Sequence, residues 1–471
     1  MQECYNARDS RIHKIKYQIS NIKYQISRIK NQISRIQDQV SNIKTIMKKT
    51  LFLLFTLITA QLTFAQQFQF TPNYDESKVP RFEMPDPLLT FKGKKVKSLK
   101  DWEKKRRPEL IEFFTQNMFG EIPGTLKYTS FEIIEEGEAY NGKANRKQVE
   151  LTFKKNGKEL SFTMLMYLPK NIEKAPVFIG YNFMGNHSVN KDVNVIISDA
   201  WTENRSSFGI ANNQFTEQSR GAEADRWDIE KILGAGMGVA TIYYGEVDPD
   251  KNDFTDGVHP LLYSDDQKQP ANNEWGSIAA WAWGLSRALD YLEKDAGVDA
   301  SKVIVFGHSR LGKTSIWAGV TDKRFAAVIS NNSGCGGAAL SKRKFGETVW
   351  RINNSFPHWF CKNFHNYSNN EEQLPVDQHE LLALIAPRPL YVASAEEDKW
   401  ADPKGEFLGA FYATPAYHLY NKKGIESIEM PAVNQPVQNT VAYHIRTGKH
   451  DVTSYDWEQY IKWAKEQLNK N

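Results

Sequence analysis

Isoleucine or valine stands at positions 12, 15, 19, 22, 26, 29, 33, 36, 40 and 43. The steps alternate three and four, the seam spacing of a coiled coil, so residues 11–46 read as an oligomerising helix. From Met47 the pattern changes. Lys48 and Lys49 precede a mostly apolar run from Leu51 to Ala60, and Thr63 and Ala65 put small residues at the −3 and −1 positions of a cleavage site. That is a secretory signal pattern over residues 47–65, too short for a comfortable transmembrane helix. Such signals belong at a translation start. The preferred expectation is that Met47 is the true start and that residues 1–46 are a doubtful N-terminal extension. The competing expectation is a real coiled coil joined to an uncleaved anchor.

Beyond Gln66 the chain reads as a single catalytic domain, residues 66–471, entered through an N-terminal arm. Pro72, Pro80, Pro85 and Pro87 interrupt any long element in that arm. Leu99 to Met118 has helical spacing, with Ser98 as N-cap and a break or kink expected at Pro108. Residues 128–168 alternate as antiparallel strands do. Six short apolar runs follow: Pro176–Tyr181, Gly238–Tyr244, Lys302–Phe306, Ala326–Ser330, Pro389–Ala393 and Val441–Ile445. Helical stretches separate them, 274–294 being the clearest. Strands alternating with helices predict an α/β fold with a mostly parallel central sheet and helices on both faces, a three-layer sandwich. The long polar stretch 184–228 reads as a surface insertion.

Charge and composition narrow the function. Residues 1–65 hold eleven Lys/Arg and three Asp/Glu, which leaves 49 basic and 53 acidic residues in the body. A mildly acidic body gives no reason to expect nucleic-acid binding. The twelve tryptophans suit a large core first and a carbohydrate-binding surface second. Three cysteines occur: Cys4, Cys335 and Cys361. In an exported chain lacking Cys4, the remaining pair is expected to form a disulfide, Cys335–Cys361, with two buried thiols as the alternative. The signal pattern implies a periplasmic or extracellular protein with no stable membrane insertion after cleavage.

The chemistry begins at Val303-Ile304-Val305-Phe306, which runs into Gly307-His308-Ser309-Arg310-Leu311-Gly312-Lys313. A buried strand, a tight turn bearing serine and then a helix form the nucleophile elbow of the α/β-hydrolase fold. Ser309 is the candidate nucleophile. The motif departs from G-x-S-x-G because its second glycine falls one place late. In this fold the acid and then the histidine follow the serine in the chain. His450 lies just past Val441–Ile445, on a loop with Gly448. The Pro389–Ala393 strand leads into Glu396, Glu397 and Asp398. Asp398 is the preferred acid, with Glu397 as its alternative. His308 is expected to point away from the nucleophile, His379 to lie in a helix, and His358 and His365 to be able to line the pocket. The chemistry implied is two-step acyl transfer, which needs no cofactor. No His/Asp/Glu cluster suggests a metal.

The elbow resembles the G-x-S-R-x-G-K segment of the glucuronoyl esterases, carbohydrate esterase family fifteen. The similarity runs over roughly residues 80–465. It includes Trp275–Leu292, Asn331–Leu340, Phe356-Pro357-His358-Trp359-Phe360, Ala386-Pro387-Arg388-Pro389-Leu390 and Asp398-Lys399-Trp400-Ala401-Asp402-Pro403. The resemblance implies hydrolysis of esters of 4-O-methyl-glucuronate on glucuronoxylan, including lignin–carbohydrate ester links. It also implies roles: Arg310 at the oxyanion, Lys313 and Glu347 on sugar hydroxyls, and Trp400 against the glucuronate. Many relatives carry the acid in a Glu-Ser-Gly segment, which here reads Asn332-Ser333-Gly334, so the acid role passes to Asp398. A carbohydrate acetylesterase of the acetyl xylan esterase type remains the alternative. A non-catalytic polysaccharide-binding protein is a third reading, opposed by the intact Ser309 and His450.

Overall fold

The computed structural model describes residues 2–64, 70–264 and 266–469. The chain divides into two compact units, Met1–Thr71 and Pro72–Asn471. In the first, heptad and signal segments form one continuous helix, Gln2–Phe64. Its isoleucines at 15, 19, 22, 26, 29, 33, 36 and 43 are exposed. The Ala65–Gln66 junction expected as the cleavage point lies outside the described residues. Among the described residues, no helix is long and apolar enough to cross a membrane.

The second unit is built on a ten-stranded sheet: β1 (Ser130–Ala139), β2 (Ala144–Lys155), β3 (Lys158–Pro169), β4 (Ala175–Asn182), β5 (Gly238–Tyr243), β6 (Val298–His308), β7 (Ala327–Asn331), β8 (Leu390–Ala395), β9 (Val437–Gln438) and β10 (Val441–Arg446). Their order is β1-β2-β3-β5-β4-β6-β7-β8-β10-β9. β1, β2, β3 and β5 pair antiparallel in sequence, and from β5 through β10 the pairing is parallel. All six apolar runs are strands of the parallel part, and residues 128–168 are the antiparallel flank. The fold is that of an α/β-hydrolase.

Alternation along these strands feeds two cores, because successive side chains leave opposite faces. Val177, Ile179, Val303, Val305, Leu390 and Val392 pack on one face with the helices Ser277–Leu292, Arg310–Thr321 and Pro403–His418. Phe178, Ile304, Phe306, Tyr391 and Ala393 pack on the other with Ile229–Gly234 and Ser454–Leu468. Each large side chain fully buried here contributes about 1.5–3 kcal/mol. Nine of the twelve tryptophans are buried, so most of this aromatic content serves the core.

Three expectations need correcting. Pro108 does not break the arm helix. A π-helical turn, Trp102–Arg106, precedes Arg107–Phe114 and takes up the register around the proline, which lacks an N–H. Ser98 caps the start, accepting from the Asp101 amide at 3.1 Å. The stretch 184–228 is not a mere surface insertion: His187, Ser188, Ser219 and Glu223 within it are buried. Glu223 accepts from the amides of Phe183 and Met184 at 2.9 and 3.1 Å, so it pins the loop after β4. Finally, Cys335 and Cys361 are buried free thiols, not a disulfide. The Cys361 thiol faces the Gln116 carbonyl of the arm at 3.9 Å, and the Phe360 ring occupies the space beside Gly336.

Candidate active site

The site lies at the carboxyl ends of β6, β7, β8 and β10. Ser309 follows β6 with φ 58° and ψ −128° and caps the helix Arg310–Thr321. A non-glycine residue held there stores about 1–3 kcal/mol of strain, sustained only by its surroundings. Its amide donates to the Asn331 carbonyl at 2.9 Å. Gly307 is required at the turn, since a Cβ would lie 1.9 Å from the Leu311 carbonyl oxygen. The late glycine, Gly312, packs against the loop after β7, where a Cβ would meet Ser333 at 3.0 Å.

His450 follows β10. Its Nδ1 lies 2.6 Å from Asp398 Oδ2, which also accepts from Asn332 Nδ2 at 2.8 Å. Burial pushes the Asp398 carboxyl up, but the bond and charge of His450 and the Asn332 bond outweigh it and hold it below the usual carboxylate value. Glu396 and Glu397 are exposed. Their amides donate to the carbonyls of Arg446 and Gly448 at 2.9 and 3.0 Å, which joins the acid loop to the histidine loop.

Ser309, His450 and Asp398 share one cavity of about 290 Å³ with Arg310, Lys313, Glu347 and Trp400; Asn332, Phe356 and Trp359 complete much of its wall. Lys313 Nζ donates to the Ser333 carbonyl at 2.7 Å and stands 3.8 Å from Glu347. Burial raises the Glu347 carboxyl; Lys313 and a hydrogen bond from Trp400 work against it. The Phe356 and Trp359 rings stack at 3.8 Å. The cavity thus combines a serine, a carboxylate-paired histidine, polar groups of both kinds and flat aromatic surface, which suits acyl transfer from a hydroxylated ring.

Proteins similar to this chain in sequence and fold are carbohydrate esterases. Residues 230–423 match the model of the fungal glucuronyl esterase family. A promiscuous esterase of carbohydrate esterase family fifteen from a marine bacterial metagenome is 49% identical. It has a TM-score of 0.80 and covers 84% of this chain and 100% of its own. The chain belongs to the glucuronoyl esterase family, carbohydrate esterase family fifteen. The glucuronoyl esterase of Solibacter usitatus is 46% identical, with a TM-score of 0.78 over 83% of this chain and 99% of its own. A 4-O-methyl-glucuronoyl methylesterase of Wolfiporia cocos is 36% identical over 202 residues, 40% of this chain and 47% of its own.

Within this glucuronoyl esterase fold the other histidines sort themselves. His379 lies in the helix Gln378–Ala383. His365 borders a separate cavity with Trp275 and Phe360. His358 bonds Asp250 at 2.8 Å. His308 does not leave the site altogether: its ring lies 4.5 Å from that of His450. Burial, then the nearness of His450, holds it well below the usual histidine value, and its Nδ1 pairs with Asn331 at 2.7 Å. Sequence reasoning missed Arg446, whose guanidinium donates to the carbonyls of Thr447, Lys449 and Asp451 around His450, with Nε on Asp456 at 2.6 Å. It also missed Asp250, which gathers Arg310, His358 and Trp359. No motif marks either residue; only their distance from known motif residues in the folded chain reveals them.

Proposed function

We propose that this esterase hydrolyses esters of 4-O-methyl-glucuronate on glucuronoxylan, including links to lignin alcohols, through Ser309, His450 and Asp398. The observation that carries the reading is the His450–Asp398 pair at 2.6 Å in one cavity with Ser309, Lys313, Glu347 and Trp400. With Nδ1 engaged, His450 Nε2 takes the Ser309 proton as Oγ bonds the ester carbonyl carbon. The tetrahedral oxyanion develops beside Arg310 and the helix N-terminus. Its collapse breaks the bond to the alcohol, which leaves with the proton from Nε2. Water then attacks the acyl-enzyme, giving its proton to His450, and Ser309 recovers that proton as glucuronate departs. Asp398 stabilises the imidazolium in both steps. Lys313, Glu347 and Trp400 hold the sugar.

The acetylesterase reading stays in view because one relative is described as promiscuous. Benzyl glucuronate should exceed 4-nitrophenyl acetate by at least about tenfold in kcat/KM, a margin within reach of a site built to bond sugar hydroxyls. Parity, or preference for the acetate, would move the assignment to acetyl esters. The signal pattern at 47–65 supports export to the periplasm or beyond, with residues 66–471 as the mature catalytic domain. N-terminal sequencing of protein from its native host, expected to begin near Gln66, tests that.

A further inference from the structure

Asp250 follows β5 and the short helix Tyr244–Val247, and four donors converge on it. Oδ2 accepts from Arg310 Nη1 and from the Tyr244 hydroxyl, the latter at 3.0 Å. Oδ1 accepts from His358 Nε2 at 2.8 Å and Trp359 Nε1 at 2.7 Å. The side chain is 9% exposed. Burial raises its carboxyl, but the Arg310 charge and the bonds from His358 and Trp359 prevail and hold it below the usual value. This is an ionised carboxylate with every lone-pair direction used.

Arg310 is fixed from that side. Its guanidinium lies 5.0 Å from the Trp359 ring centre and 5.6 Å from that of Phe183. Nη1 is committed to Asp250 and Tyr244. Among the described residues Nη2 has no hydrogen-bond partner, and Arg310 lines the cavity beside Ser309. Charge gives this geometry a second consequence. The ester substrate is neutral, whereas both the tetrahedral intermediate and the acid product are anions. An uncompensated arginine would hold the product as firmly as the intermediate and slow release. Lys313 likewise stands against a carboxylate, Glu347.

We propose that Asp250 is a positioning residue for the esterase reaction: it aims Arg310 at the oxyanion and offsets its charge, so that the carboxylate product is not retained. The inference rests on the proposed acyl transfer at Ser309. In the full-length chain, Asp250→Asn keeps the shape and one acceptor oxygen but removes the charge. Free D-glucuronate, read as a competitive inhibitor of 4-nitrophenyl acetate hydrolysis, should then bind at least about tenfold tighter. The kcat for benzyl glucuronate should fall at least about tenfold without a rise in KM. In an Arg310→Ala background the same change should move neither quantity by more than about twofold. Asp250→Glu, which keeps the charge but displaces it, should retain weak product inhibition while losing at least about fivefold in kcat. Unchanged inhibition in Asp250→Asn, or an equal shift without Arg310, would overturn the proposal. Should Asp250→Asn not fold, wild-type kcat in Asp250→Glu would overturn it, and the predicted split would support it. If wild-type protein cleaves 4-nitrophenyl acetate but not benzyl glucuronate, the substrate reading fails, and acetate as inhibitor decides the role of Asp250.

Discussion

Asp398 Oδ2 accepts from His450 and from Asn332 at once, so the Asn332 amide helps to aim the proposed acid. Asp398→Asn would put an amide nitrogen or an uncharged oxygen against His450 Nδ1, losing the tautomer control and the stabilised imidazolium. The expected cost is about 10²–10⁴ in kcat. Glu397→Gln should cost less than about threefold, because a surface change away from the proton path rarely does more; its side chain is exposed, and the backbone amide makes its contact with the histidine loop. Steady-state kinetics on one ester compare the two variants, and a dead Glu397→Gln beside an active Asp398→Asn would move the acid by one residue. Ser309 and His450 stood out as candidates in the sequence because each follows an apolar run by a few residues, and the fold brings both to one cavity. The sequence favours Asp398 but leaves Glu397 open, because spacing alone separates them by one residue. The choice depends on which side chain the turn after β8 buries. Asp250 was invisible for a stronger reason. Tyr244 is near in the chain, but the other three partners lie 60, 108 and 109 residues away, and no local pattern encodes such a meeting.

Among the elements, the parallel strands were legible because burial on both faces makes them continuous apolar runs. The 184–228 segment was not, because its buried apolar residues are scattered without a period among buried polar ones, and Glu223 is satisfied by amides about forty residues away. The helix Pro403–His418 shows the same limit. It carries Glu406, fully buried, under both the β7 and β8 loops. Glu406 Oε1 accepts from the Gly334 amide at 3.0 Å and the Ser333 hydroxyl at 3.3 Å, and Oε2 from the Ser394 hydroxyl at 2.6 Å. Burial pushes this carboxyl up to about 8; the bonds from Ser394 and Gly334 pull the other way, and Asp398 adds to the rise. Between the ordinary value of 4.5 and about 8, the unfolded chain gives up this proton while the folded chain keeps it. The group's contribution to stability is therefore full at the acid end and lost as pH rises through about 8. Glu406→Gln cannot titrate, yet it can still accept from Gly334 and donate to Ser394. Denaturant melts should show it near wild type at about pH 5 and more stable than wild type at about pH 8. Glu406→Ala should be less stable at both, since it removes the acceptor from the Gly334 amide and the Ser333 and Ser394 hydroxyls. A gap between Gln variant and wild type that does not change with pH would refute the assignment.

At the scale of the whole molecule, the two compact units carry different physics. The catalytic unit holds both hydrophobic cores, whose first member is Val96, and every residue assigned to the site. The helix Gln2–Phe64 instead exposes a stripe of isoleucines at three- and four-residue steps. A stripe of β-branched residues at both seam positions has no partner within one helix and favours association of several. Catalysis and association should therefore separate on truncation. A chain beginning at Gln66 is expected to keep kcat/KM within about twofold of the full-length protein and its Tm within about 2 °C, because about 1 kcal/mol shifts Tm by about 2–4 °C in a 150–250-residue domain and by less in a larger one. Over the same deletion, sedimentation should show the full-length chain as the larger species and the shortened one as monomeric. A tenfold loss of kcat/KM would mean that residues 1–65 complete the site. An unchanged sedimentation coefficient per subunit mass would mean that the isoleucine stripe drives no assembly. The expected combination, full activity with lost association, would make residues 1–65 dispensable for the chemistry and place its requirements within residues 66–471.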